Sequence, residues 1–273
     1  MRKNESKPIT FGTLDVNAPI FNELQSEKYI WWDCIVKNPN LYVEIRKNNE
    51  VHVYYEGGRV IRLHYCIKHK KIQAFTHHKY LSTSEKSTGY VECADRLNTD
   101  LESIVKNVQI YSRKHGISDK ENWSEAYIKG NIRIKHPLQY LDSEFAYNSG
   151  QIRIDLIECN DGNTRFVELK RIDDARMLTN DRNPKILDQV EKYRLFIEEN
   201  QGNLLEYYQR IYDLKKKLKL PVPSIPPTTV NTEPLLLIFD RWTKNTPNRT
   251  KHTAEMKRIL DTKGINYLIT KDF

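Results

Sequence analysis

The stretch Gln151-Ile152-Arg153-Ile154-Asp155-Leu156-Ile157-Glu158-Cys159-Asn160-Asp161-Gly162-Asn163-Thr164-Arg165-Phe166-Val167-Glu168-Leu169-Lys170-Arg171 decides the reading of this chain. Two alternating apolar runs flank Asp161-Gly162, and Asp-Gly between such runs is among the strongest local signals of a two-residue β-hairpin. Counting outward from the turn sets a register. Asn160 faces Asn163, Ile157 faces Phe166, Leu156 faces Val167, Asp155 faces Glu168 and Arg153 faces Lys170. Opposed residues share a side of a sheet, as do residues two apart along a strand. Asp155, Glu168, Lys170 and Arg153 are therefore expected on one face, with Ile154, Leu156, Val167 and Leu169 on the other as core.

Opposed β-carbons lie about 5 Å apart, and like charges so placed are destabilising. Two carboxylates there call for a cation. Hard oxygen ligands suit Mg²⁺ or Mn²⁺, and Mg²⁺ keeps several waters and takes one or two protein carboxylates. The plainer alternative is an edge hairpin whose Asp and Glu are neutralised by Arg153, Lys170 or Arg171.

The flanking sequence places this hairpin in a larger unit. Ser118-Asp119-Lys120-Glu121 has the form of a capping box, which predicts a helix to about Lys129, stopped by Gly130. Strands follow at 139–147, 151–158 and 164–172, then helices at 185–199 and about 203–219. Pro221-Val222-Pro223-Ser224-Ile225-Pro226-Pro227 is a stiff loop. Leu235 to Phe239 is a wholly apolar strand, a helix at 250–263 ends at Gly264, and Ile265 to Thr270 is a last strand. Apolar strands mixed with helices imply an α/β (α+β) class, a mixed sheet covered by helices.

Upstream, a helix from Phe21 to about Asn38 carries Trp31 and Trp32, read as packing residues. Alternating runs at 41–45, 51–55, 60–65 and 72–75, with Gly57-Gly58 between the second and third, predict a small antiparallel meander. Helical spacing covers about 91–113. The chain thus divides into a β-rich N-terminal domain over 1–115 and a second domain over 116–273. His77-His78 lacks a partner at ligand spacing.

With 273 residues, 38% hydrophobic and 29% charged, the chain reads as globular. No apolar run approaches the roughly 18 residues of a membrane span, and the first residues lead into no apolar signal segment, so a cytoplasmic location is expected. Cys34, Cys66, Cys93 and Cys159 form no CxxC pair, which excludes the common zinc and redox motifs. A net charge of +8 and a pI near 9.1 favour a polyanionic partner.

Asp155, the strand bearing Glu168-Leu169-Lys170, and the helix bearing Gln189-Val190-Glu191-Lys192-Tyr193 together resemble the PD-(D/E)xK nuclease superfamily, in particular its RecB-like branch with a QxxxY helix. The resemblance covers residues 118–270, with Ile154 where the motif name has Pro. It implies a restriction-endonuclease-like core and a divalent-metal-dependent nuclease, acting on DNA, or on RNA, in genome defence or repair. Asp155, Glu168 and the backbone carbonyl of Leu169 would bind the metal, with Glu121 or Glu125 as the helix glutamate. Lys170 would orient a water and stabilise charge on the phosphate, and Gln189 and Tyr193 would face the site. Arg153, Arg171, Lys215, Lys216 and Lys217 are expected to contact substrate. The N-terminal meander is expected to bind DNA or to mediate homodimerisation. The rival reading is a non-catalytic nucleic-acid-binding protein on the same fold.

Overall fold

Alternation of apolar and polar residues builds two sheets, and helical stripes cover them. The structure, a computed structural model, describes residues 11, 14–26, 28–81, 89–113, 119–147, 151–177 and 184–273. Helices α1 (Pro19–Gln25) and α2 (Ile30–Lys37) precede strands β1 (Tyr42–Arg46), β2 (Glu50–Tyr55), β3 (Gly58–Cys66), β4 (Lys71–His77) and β5 (Tyr90–Glu92). Helices α3 (Leu97–Arg113) and α4 (Glu125–Lys135) follow, then strands β6 (Tyr140–Tyr147), β7 (Ile152–Asn160) and β8 (Asn163–Arg171). Helix α5 (Lys185–Lys217), β9 (Thr229–Val230), β10 (Leu235–Phe239), α6 (Pro247–Thr262) and β11 (Tyr267–Thr270) complete the chain.

The first sheet is antiparallel throughout, in the order β1-β2-β3-β4-β5. One face carries Val51, Val53, Ile61, Leu63, Ile72 and Ala74, which share a core with Phe21, Trp31, Ile35, Leu97 and Ile104 of the helices. The second sheet is mixed, in the order β11-β10-β8-β7-β6 with β9 beside β8. β6, β7 and β8 are antiparallel, while β10 runs parallel to β8 and β11 parallel to β10. The fold is α+β: an antiparallel and a mixed sheet, each flanked by helices.

Two smaller cores lie on the mixed sheet, beside the main one. Ile128 and Ile132 of α4 pack with Leu156, Val167, Leu169, Leu235 and Leu237. Ile186 and Val190 of α5 pack with Leu236, Ile238 and the α6 residues Met256 and Leu260. The rest of α5, through Leu204, Tyr208, Ile211 and Leu214, joins Phe166 and Ile157 to the same core that fills the first sheet. Among the described residues no helix is long and apolar enough to cross a membrane.

Several boundaries differ from the sequence expectation. The single helix over 21–38 is two helices, because the chain turns extended at Ser26 (φ −68°, ψ 137°), whose hydroxyl bonds to the Glu23 carbonyl at 2.6 Å. Serine competes for backbone in this way. The break expected between 199 and 203 is absent, and α5 runs unbroken for 33 residues. Gly202 is exposed and costs such a helix about 1 kcal/mol, which the buried stripe outweighs. Ser118 lies outside the described residues; Asp119 caps a single 3₁₀ turn, and Ser124 caps α4 by accepting from the Tyr127 N–H at 3.2 Å. Gly130 does not stop that helix. It lies inside α4 because a Cβ there would overlap the backbone nitrogen of Gly57. Glu56 (φ 45°) and Gly57 (φ 82°) form the β2–β3 turn, which docks directly on α4.

Candidate active site

Asp161 (φ 49°) and Gly162 (φ 79°) both adopt the left-handed conformation that a two-residue type I′ hairpin requires. From that turn the pairs Asn160↔Asn163, Cys159↔Thr164, Glu158↔Arg165, Ile157↔Phe166 and Leu156↔Val167 follow, as counting predicts. The ladder then ends. Asp155 and Glu168 do not pair across it, nor do Arg153 and Lys170. On the other side of β7, the β6 ladder passes from Ser143↔Leu156 to Phe145↔Ile154 without a Glu144–Asp155 pair, and Glu144 has φ 58°. Asp155 thus sits between two glutamates, where three regularly paired carboxylates would repel. Its own side chain replaces the missing ladder bond: Oδ2 accepts from the Leu169 N–H at 3.2 Å. The core residues also divide differently from expectation. Leu156, Val167 and Leu169 pack under α4, whereas Ile154, past the irregularity, belongs to the core under α5.

Glu168 is 2% exposed. Its Oε1 accepts from Lys170 Nζ and, at 2.6 Å, from Gln189 Nε2. Its Oε2 is buried with no hydrogen-bond partner among the described residues. Lys170 also donates to the Leu169 carbonyl at 2.9 Å, so one ammonium joins two of the expected metal ligands. Gln189 donates further to the Tyr193 hydroxyl at 2.7 Å, and that hydroxyl donates to the Arg153 carbonyl. The QxxxY pair therefore ties the Glu168 side chain to β7 across one helical turn.

Glu125, the first residue of α4, stands beside this group. Burial raises its carboxyl, the Asp155 charge adds to that, and Lys170 opposes it. Its Oε1 is buried, without a hydrogen-bond partner among the described residues, 3.7 Å from an Arg176 nitrogen. Glu168 is pushed up to about 7 by burial, then by Asp155 and Glu125, against the pull of Lys170. Three carboxylates from three elements thus act on one another around one lysine. Glu121 points elsewhere. It precedes α4, pairs with Arg249 at 2.8 Å and accepts from the Thr243 N–H at 2.9 Å. Those hydrogen bonds hold it at about 2.

Sequence reasoning missed Lys129. Its Nζ reaches Asp155 at 3.1 Å and Glu144 at 2.9 Å, and the residue is 7% exposed. Its signal was present, because residues four apart share a helix face and Glu125 precedes it by four. Arg153 is exposed, and Arg171 lies 3.8 Å from Asp173. Lys215 is not available to a phosphate. It is 1% exposed and bound to Glu44 at 2.5 Å and to the Leu141 carbonyl at 2.6 Å, because the stripe that buries α5 includes it. Lys217 bonds to Asn22 of α1 at 2.9 Å, and Lys216 is exposed at the same helix end.

Among the described residues no group of three or more His, Cys, Asp or Glu side chains is arranged to hold a metal ion. The donor set nonetheless has the chemistry of Mg²⁺ or Mn²⁺. Asp155, Glu168, Glu125 and the Leu169 carbonyl offer only hard oxygen, and Mg²⁺ takes one or two such carboxylates with water. The unpartnered Oε2 of Glu168 is the atom a cation would satisfy. No family model matches the chain, and no curated protein or solved structure does either.

Proposed function

We propose that this chain is a divalent-metal-dependent nuclease that hydrolyses phosphodiester bonds in DNA, on a restriction-endonuclease-like core with a QxxxY helix. The observation that carries the reading is the buried, unpartnered Oε2 of Glu168, set beside Asp155 and Glu125 with Lys170 against it. Asp155, Glu168 and the Leu169 carbonyl would hold Mg²⁺ or Mn²⁺, with Glu125 beside them. Lewis-acid polarisation of the scissile phosphate and a more acidic water are what such an ion supplies when bound. The chain's own groups do the positioning. Lys170 holds a positive charge at the spot where a phosphate oxygen gains charge. Gln189 orients Glu168, and Tyr193 fixes Gln189 to β7. Arg153 and Arg171 offer charge to the flanking phosphates. Genome defence or DNA repair is the setting such an activity serves.

Incubation of mixed DNA substrates with Mg²⁺ or Mn²⁺ tests the reading. Wild type is expected to cleave, and Asp155→Ala and Glu168→Ala are each expected to lose at least a hundredfold in rate while keeping the wild-type circular dichroism spectrum, about the loss from removing one main electrostatic contributor. Cleavage that survives both substitutions sinks the site. The non-catalytic reading draws on Lys129 and Lys170, whose ammoniums already occupy oxygens of Asp155 and Glu168. It expects salt-dependent DNA affinity and no cleavage with any metal.

A further inference from the structure

The two faces of the first sheet differ in kind. Helices α1 to α3 bury one of them. The other follows from the register: His52 opposes Arg62, Arg62 opposes Phe75, His64 opposes Gln73, and His77 opposes Tyr90. At β1 the second half of the molecule covers this face, where Glu44 meets Arg133. Toward β3, β4 and β5 it opens to solvent, and Tyr90 is 51% exposed.

The open part is built of cations and rings. The Arg59 guanidinium lies over the Tyr90 ring at 4.7 Å, and that of Arg62 over Phe75 at 5.3 Å. His64 stacks on Phe75 at 5.3 Å, 8° from parallel, and His77 meets Tyr90 edge-on at 5.4 Å. Among the described residues the Nε atoms of Arg59 and Arg62, themselves buried, have no hydrogen-bond partner. The nearby carboxylates are engaged: Glu50 by His52 at 3.0 Å, with Arg62 at 4.0 Å, and Glu92 by Gln73 at 3.0 Å. The β2–β3 turn that borders this face rests on Ala126 of α4, one residue past Glu125. The geometric link to the candidate active site is the β2–β3 turn, which touches α4, the helix that carries Glu125 and Lys129.

We infer that this face, through Arg59, Arg62, His64, Phe75, His77 and Tyr90, binds single-stranded nucleic acid and leads it to the Asp155–Glu168 site. The inference rests on the nuclease reading for its destination, not for the binding. Arginine supplies charge for phosphates and a plane for bases, and rings supply stacking surface. Only unstacked bases can stack on such rings and guanidinium planes, because in a duplex the base faces are occupied by one another. Sheet platforms of this kind take about two or three bases. A net charge of +8 acts in the same direction.

Fluorescence anisotropy in EDTA, on full-length Asp155→Ala protein, tests this without cleavage. The probes are labelled oligo-dT, oligo-rU, a duplex of equal length and a poly-glutamate peptide. Oligo-dT or oligo-rU is expected to bind best, the two telling DNA from RNA. Tyr90→Ala is expected to weaken it about tenfold. Arg59→Ala with Arg62→Ala is expected to reduce the slope of log K against log salt by about 1.4. Unchanged melting temperatures separate these effects from lost cross-strand packing. Equal affinity and salt slope in all variants overturns the inference, as does preference for the duplex or the peptide. A chain that binds single strands through this face yet never cleaves overturns the nuclease reading alone. One that cleaves while the variants bind like wild type overturns this inference alone.

Discussion

Glu44 has 0% exposure on β1 and is held by Arg133 at 2.8 Å, Lys215 at 2.5 Å and the Ser143 hydroxyl at 3.0 Å. A buried carboxylate between two cations contributes little net stability, but removing it leaves those cations uncompensated. Glu44→Gln is expected to lower unfolding stability by about 3–5 kcal/mol, read from urea melts at pH 7. The pH dependence has a definite sign. Burial raises the Glu44 carboxyl, and Arg133 and Lys215 outweigh it, holding the group at about 2. A carboxyl lower in the folded state than its ordinary 4.5 contributes fully above about pH 4.5, and that contribution is lost as pH falls toward 2. The gap between wild type and Glu44→Gln should shrink across that window and stay constant above it; a gap that widens on acidification contradicts the assignment. Asp155, Glu168 and Lys170 could be named from the sequence because one turn joins the two strands that carry them, although the Asp155–Glu168 pair that counting predicts does not form. Glu44 could not, because its partners come from α4, β6 and α5, and no local pattern links them.

At the scale of elements, most strands of both sheets were readable from alternating or wholly apolar runs, but β5 was not, since 91–113 read as helix, nor was the two-residue β9; Gly264 (φ 65°) marks the end of α6 as expected. Gly130 was misread as a helix stop, and with Gly202 it separates two physical causes. Gly202 faces open space, whereas Gly130 touches the Gly57 backbone. Gly202→Ala is expected to stabilise the protein by about 0.5–1 kcal/mol, since alanine is the better helix former. Gly130→Ala gains the same propensity but must displace the β2–β3 turn, at a cost of about 1–3 kcal/mol or more. Thermal melts should therefore move in opposite directions for one substitution in two helices. A rise in melting temperature for Gly130→Ala would mean that the turn does not pack against α4 as described. Propensity is a property of the residue and its neighbours in sequence; clearance is a property of whatever packs against it.

For the whole molecule, one core runs from Phe21 and Ile45 through Phe145 and Phe166 to Leu214, so the two sheets share their interior. The Glu44 and Arg46–Asp142 contacts cross the same boundary. Unfolding is expected to be a single transition. Trp31 and Trp32 report on the first half, Trp123 and Trp242 on the second. Urea curves from variants keeping only one tryptophan pair should coincide, and separated midpoints would show two independent units. The sequence alone determined the hairpin register as far as Leu156↔Val167, the order of most elements, and three residues of the candidate site. Turn chemistry and side-chain alternation act over a few residues and need nothing from the rest of the chain. The tertiary structure alone decided that the ladder ends at Asp155, that Glu125 and not Glu121 joins the site, that Lys129 enters it, and that Lys215 is buried. These depend on which charges and surfaces distant segments bring together, a balance of repulsion, burial and clearance that exists only once the chain has folded.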